Sequence, residues 1–188
     1  MTKLIKGISP NFTVIEKDET LKTGLEEILA DQKATLVIDD VLNIDLQSLL
    51  TPSLIVGNLP YYITSPILRK FFSHEHPNIL GGLFMIQMEV GEKIKRDAGK
   101  KSYLYRLLNY AYRVDYLKTI PAKAFSPAPK VKSCLVSLVK KSELPQLSFE
   151  RLVEFLDFFS PYSRKTLGKI AKMVEKKEKH FSIPEVLQ

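Results

Sequence analysis

Cysteine is nearly absent: Cys134 stands alone among 188 residues. That excludes an internal disulfide framework and a cysteine-rich zinc site, and it points to a reducing compartment. No apolar run approaches the roughly 20 residues needed to span a bilayer. The N-terminus carries Lys3 and Lys6 but no long apolar stretch leading to a cleavage site, so no membrane span is expected and the chain reads as soluble and cytoplasmic. Glycine and proline are sparse and scattered, eight and eleven residues, too few for a collagen-like or low-complexity chain. With 45% apolar and 26% charged residues, the composition predicts a packed core: one substantial domain with a small appendage. Lys and Arg exceed Asp and Glu by 28 to 21, a net charge of +7. This suits a polyanionic partner such as nucleic acid, although solubility alone accounts for a charge of this size.

From Phe12 to Leu138 short apolar runs alternate with helix-like segments, the pattern of an α/β fold with a mostly parallel sheet and crossover helices. Strands are predicted at Phe12–Glu16, Thr35–Asp39, Ser53–Gly57, Gly82–Gln87, Val114–Thr119 and Ser133–Lys140. Several are apolar on both faces, which predicts helices on each side of the sheet. Helices are predicted at Glu19–Leu29, Pro66–Phe72 and Tyr103–Arg113, with Ser65 capping the second and Pro66 at its first position. After Lys140 the strand pattern stops. Residues 1–141 therefore read as one α/β domain and 142–188 as a small basic helical one. The latter has a first helix with Leu152, Phe155, Leu156 and Phe159 on one face and a second from Ser163 to about Lys179.

The segment Ile55-Val56-Gly57-Asn58-Leu59-Pro60-Tyr61-Tyr62 ends an apolar strand just before a helix, where open α/β sheets place their ligand crevice. Methylating an exocyclic base amine sets specific demands. The nitrogen lone pair is delocalised into the ring, so acceptors must hold the two N–H groups in a pyramidal arrangement while an aromatic ring holds the base in plane. Asn58, the Leu59 or Pro60 carbonyl, and Tyr61 are residue types that meet those demands. A turn that merely ends a strand is the competing reading, since Asn and Pro are common turn residues. Tyr62 reads as a packing residue. His74 and His76 have no evident third ligand, so no metal site is expected.

Asn58-Leu59-Pro60-Tyr61-Tyr62-Ile63-Thr64-Ser65-Pro66 resembles the signature of the ribosomal RNA adenine dimethyltransferases, which use S-adenosylmethionine. Val14-Ile15-Glu16-Lys17-Asp18 is similar to the family's second motif, implying that Glu16 binds the cofactor ribose. Ile38-Asp39-Asp40-Val41-Leu42 is similar to its third, implying that Asp40 contacts the cofactor adenine. Gln87-Met88-Glu89-Val90 and Phe125-Ser126-Pro127-Ala128-Pro129-Lys130-Val131 match further segments, the latter implying that Phe125 sandwiches the target base with Tyr61. Ser163-Arg164-Lys165-Thr166-Leu167 resembles the start of a C-terminal helix, so Arg164, Lys165 and Lys169 are expected to track RNA. The resemblance implies a Rossmann-like methyltransferase acting on ribosomal RNA within the immature small subunit, with Asn58 joining Glu16 and Asp40 in contacting the cofactor. It favours the small-subunit branch over the erythromycin-resistance branch.

One element of the family pattern is missing: no Gly-x-Gly occurs anywhere, and Thr2-Lys3-Leu4-Ile5-Lys6 resembles the end of the helix that follows that turn. The expectation is a sheet without its first, central strand, in a fragment, a truncated product or a chain that a separate segment completes. The strands carrying Glu16 and Asn58 would then each keep an unpaired edge. Two rival readings remain: a noncatalytic RNA-binding or ribosome-assembly factor, and an amino-methyltransferase acting on DNA or protein. Leu59 and the Phe125 loop argue against the second.

Overall fold

The computed structural model describes residues 2–5, 8–9, 11–30, 33–46, 49, 51–72, 76–143, 148–162, 165–166, 168–170 and 173. They form two compact units, residues 1–48 and 49–188. In the first unit, α1 (Thr2–Ile5) precedes β1 (Asn11–Glu16), α2 (Lys22–Leu29) and β2 (Lys33–Ile38). β1 and β2 pair in parallel, from Asn11 opposite Lys33 to Glu16 opposite Ile38. Asp18 starts the return towards α2: its carboxylate accepts from the Thr20 backbone N–H at 2.9 Å and the Thr20 hydroxyl at 2.6 Å. These bonds stabilise the ionised form and hold the Asp18 carboxyl below the usual aspartate range.

The second unit contains β3 (Ser53–Asn58), α3 (Thr64–Phe72), β4 (Ile79–Gln87), α4 (Met88–Ile94), α5 (Tyr103–Ala111), β5 (Tyr112–Ile120), β6 (Ser133–Lys140) and α6 (Phe149–Phe159). Its sheet has the order β3-β4-β6-β5. β3 and β4 are parallel, whereas β6 runs antiparallel to both β4 and β5. The sheet is thus less parallel than the sequence reading expects. The reason is local: β5 and β6 are joined by residues 121–132, which carry three prolines and no crossover helix, and strands joined without a crossover run antiparallel.

One face of this sheet forms the core. Phe84, Ile86, Val114, Cys134, Val136 and Leu138 are buried, and Phe72 of α3 stands edge-on to Phe84 and Tyr112 at 5.7 and 4.9 Å between ring centres. Burial also pushes the Cys134 thiol up to about 11. α4, absent from the sequence reading, lies close against β6 because position 91 is glycine: a Cβ there would overlap Cys134 Sγ. Gly91→Ala is therefore expected to cost about 1–3 kcal/mol through overpacking, read as a lower urea midpoint with unchanged slope. An unchanged midpoint would contradict that packing.

The opposite face exposes Leu54, Val56, Leu83 and Val139. Among the described residues of this unit, helices therefore cover one face, not both. Strands apolar on both faces predict cover on each side, and the described helices give it on one. Four strand edges lack a described partner, those of β1 and β2 in the first sheet and of β3 and β5 in the second. The expected border at 141/142 falls inside the second unit, where Phe149 of α6 packs edge-on against Tyr110 of α5 at 5.6 Å. α5 and α6 begin at serine caps, Ser102 accepting from the Tyr105 N–H and Ser148 from the Arg151 N–H. The predicted second C-terminal helix falls largely outside the described residues.

Candidate active site

The junction after β3 is built by its own sequence. Leu59 continues the strand by donating its N–H to the Met85 carbonyl at 3.0 Å, and its side chain is buried. Gly57 makes that possible, since a Cβ at position 57 would come within 2.7 Å of Leu59 Cδ2. Pro60 stiffens the turn, and its carbonyl accepts from the Ile63 N–H at 3.2 Å and the Thr64 hydroxyl at 3.0 Å. α3 therefore begins at Thr64 rather than at a Ser65 cap. The threonine hydroxyl ties the first turn back to the junction, and Pro66 is already the third helical residue.

The two carbonyls of the junction differ in their bonding. Both acceptor positions of Pro60 are engaged, whereas no described group donates to the Leu59 carbonyl. Asn58 is exposed, and its amide makes no hydrogen bond to a described residue. The crevice here has a volume of about 380 Å³ and is lined by Asn58, Leu59, Pro60, Tyr61, Phe125, Ser126, Pro127 and Pro129. Its lining includes the neutral Asn58 amide and two aromatic rings, with no carboxylate. Phe125 ends a short turn of helix, its N–H donating to the Ala122 carbonyl at 3.1 Å. The Tyr61 hydroxyl lies 2.6 Å from Ser133 Oγ. Tyr62 is 83% exposed: the turn directs it to solvent, and its reading as a packing residue is corrected.

A larger groove of about 570 Å³ is lined by Arg96, Arg113, Lys140 and Lys141 at the other end of β6. Its lining has no aromatic face. Its lysines are held by carbonyls, Lys140 by that of His76 and Lys141 by those of Asn109 and Tyr110.

In the first unit, Glu16 and Asp40 sit at the carboxyl ends of neighbouring parallel strands. Glu16 Oε1 accepts from the Lys17 and Asp18 N–H groups at 2.8 and 3.0 Å. Asp40 accepts from Lys17 Nζ at 2.8 Å and from the Leu42 N–H at 2.9 Å. The lysine, foremost, and the backbone N–H hold the Asp40 carboxyl below its ordinary value. Asp39 is turned to a local task, accepting from the Asp40 N–H and the Asn43 amide. Of the basic residues, Lys165 and Lys169 are exposed, and Arg164 lies outside the described residues. His76 is buried, and His74 also lies outside. Among the described residues no three His, Cys, Asp or Glu side chains gather as a metal site would require.

The family model described as ribosomal RNA adenine dimethylase matches residues 1–185. The chain belongs to the ribosomal RNA adenine dimethylase family. Ribosomal RNA small subunit methyltransferase A of Acidobacterium capsulatum is 36% identical over 176 residues, 89% of this chain and 62% of the relative. Its counterpart in Deinococcus radiodurans is 30% identical over 176 residues, 93% and 59% of the two chains. The chain thus spans about three-fifths of the length of these dimethylase relatives. Among solved structures, a dimethyladenosine transferase from Plasmodium falciparum shares the fold, with a TM-score of 0.74 and 22% identity over 90% of this chain and 62% of the other. The 23S rRNA methyltransferase ErmE aligns at a TM-score of 0.68 and 26% identity over 89% and 67% of the two chains. The dimethylase fold is a Rossmann-like α/β methyltransferase architecture, and the two sheets seen here are consistent with it.

Proposed function

We propose that this chain carries the base-holding part of an enzyme that dimethylates the exocyclic amine of adenines in small-subunit ribosomal RNA. The observation that carries this reading is the pairing of an unengaged Asn58 amide with an open Leu59 carbonyl beside two aromatic rings. The Asn58 oxygen and the Leu59 carbonyl accept the two amine hydrogens and localise the nitrogen lone pair. Tyr61 and Phe125 stack on a base taken out of its helix. Lys165 and Lys169, with Arg164, follow the RNA backbone.

S-adenosylmethionine fits the acidic pair of the first unit. The Glu16 carboxylate, fixed by two N–H groups, suits ribose hydroxyls, and Asp40 suits the amine of the cofactor's adenine. When bound, the cofactor supplies a sulfonium methyl and leaves as a neutral thioether, so the crevice needs no charged base. The reading favours the small-subunit branch because curated relatives at 30–36% identity carry that name, and it places the protein in the cytoplasm with ribosomal RNA. In the described residues no helix is long and apolar enough to cross a membrane. A separate segment that supplies a further strand belongs to this reading, and residues 142–188 form the basic helical appendage.

Without a Gly-x-Gly turn to receive the methionine moiety, this chain alone is expected to bind S-adenosylmethionine weakly or not at all. Titration calorimetry checks this, and micromolar binding would contradict it. The function itself is tested by methyl incorporation into immature small subunits from radiolabelled S-adenosylmethionine, with the chain alone and with a segment supplying an apolar strand and Gly-x-Gly. No incorporation by the supplemented, folded chain would favour a noncatalytic assembly factor.

A further inference from the structure

We propose that Ser133 is a positioning residue that sets the orientation in which Tyr61 meets the target base, an inference that rests on the base-holding reading of the crevice. Tyr61 follows the stiff Pro60, and its backbone is fixed on both sides, by the Leu59 N–H on Met85 and the Thr64 hydroxyl on the Pro60 carbonyl. That leaves the ring two side-chain torsions. A tyrosine at the rim of an open crevice can satisfy its hydroxyl with water, yet this one lies 2.6 Å from Ser133 Oγ, on a residue with no solvent exposure. A buried hydroxyl left unpaired is costly, so each group holds the other in place.

The anchor is rigid. Ser133 opens β6 between two partners, opposite Gln87 on β4 and Ile120 on β5, and the preceding carbonyl, that of Lys132, accepts from the Met88 N–H at 3.0 Å. Ser133 also lies directly after the loop that carries Phe125, Pro127 and Pro129. One hydrogen bond therefore links the two walls of the crevice, the Tyr61 turn and the end of the Phe125 loop. Breaking it frees the Tyr61 ring to leave the stacking orientation without removing either aromatic face.

The test uses a short single-stranded RNA carrying one 2-aminopurine, whose fluorescence falls when it stacks on an aromatic ring. It is titrated with the wild-type chain and with Ser133→Ala, Tyr61→Phe, the double variant and Ser133→Thr. Ser133→Ala and Tyr61→Phe should each weaken binding roughly fivefold, the scale of one lost hydrogen bond. They should also reduce the quenching of the bound probe. The double variant should be no worse than either single one, and Ser133→Thr, which restores the hydroxyl, should recover the wild-type values. Unchanged affinity and quenching in Ser133→Ala, or two losses that multiply in the double variant, would overturn the positioning role. Tyr61→Phe keeps the ring and the serine. Were Ser133→Ala to fail to fold, wild-type behaviour of Tyr61→Phe would overturn the role on its own. If the wild-type chain binds the RNA without quenching, the base-holding reading fails and the positioning role falls with it. That outcome is distinct from a quenching wild type with an indifferent Ser133→Ala.

Discussion

Asn58→Ala should lower methyl transfer at least about a hundredfold in the supplemented chain, because a reacting amine no longer held at its attack geometry loses on this order or more. The fold should not notice. Asn58 is exposed and its amide bonds to no described residue, so the urea midpoint should move by no more than the equivalent of about 0.5 kcal/mol. Binding of RNA should also persist, since the stacking rings and the basic residues are untouched. The useful comparison is Asn58→Gln, which keeps an amide but moves its oxygen out by one methylene; it should be nearly as inactive, because position and not polarity is what the amine needs. Equal incorporation by wild type and Asn58→Ala, in protein shown to be folded, would remove the chemistry assigned to the junction.

Phe72→Ala is expected to have the largest effect on stability, a loss of about 3–5 kcal/mol. Phe72 is fully buried and meets two aromatic partners edge-on, Phe84 from β4 and Tyr112 from β5. A cavity there has little chance to collapse, because both neighbours are themselves held in the sheet. Urea denaturation followed by circular dichroism measures the loss, and Phe72→Leu should cost clearly less because it leaves a smaller void. Phe72 is also the last residue of α3, whose first turn is tied to Pro60 through Thr64. Loosening the helix should therefore weaken RNA binding at the junction as well as the fold. A change below about 1 kcal/mol would show that α3 is not seated on the sheet through this residue.

Much of this organisation is legible in the residues. The six strands lie where runs such as Ser53-Leu54-Ile55-Val56 and Cys134-Leu135-Val136 place them, because half-buried and buried strands leave a strong apolar signature. Asn58 and Tyr61 could be picked out because an apolar strand, a proline and a helix start occur within ten residues. Other features were not legible for physical reasons. α4 is only seven residues long and contains Gly91, so neither periodicity nor propensity announces it; its place is set by close packing on Cys134. The start of α3 depends on the Thr64 hydroxyl reaching back four residues, which competes with the obvious Ser65-Pro66 cap signal. The bond between Tyr61 and Ser133 joins residues far apart in sequence, and only the register of β6 against β4 could reveal it. The antiparallel turn of β6 was readable in principle from the three prolines of residues 121–132, which leave no room for a crossover helix.

The margin of β3 that has no partner among the described residues has a practical corollary for anyone handling the isolated chain. It offers a row of main-chain donors and acceptors flanked by exposed Leu54 and Val56, and the strand Ser53-Leu54-Ile55-Val56-Gly57-Asn58 carries no charge that would repel a second copy. At high concentration such a margin templates intermolecular sheet growth, so light scattering that rises with protein concentration, and falls after Val56→Lys, is the behaviour this strand dictates.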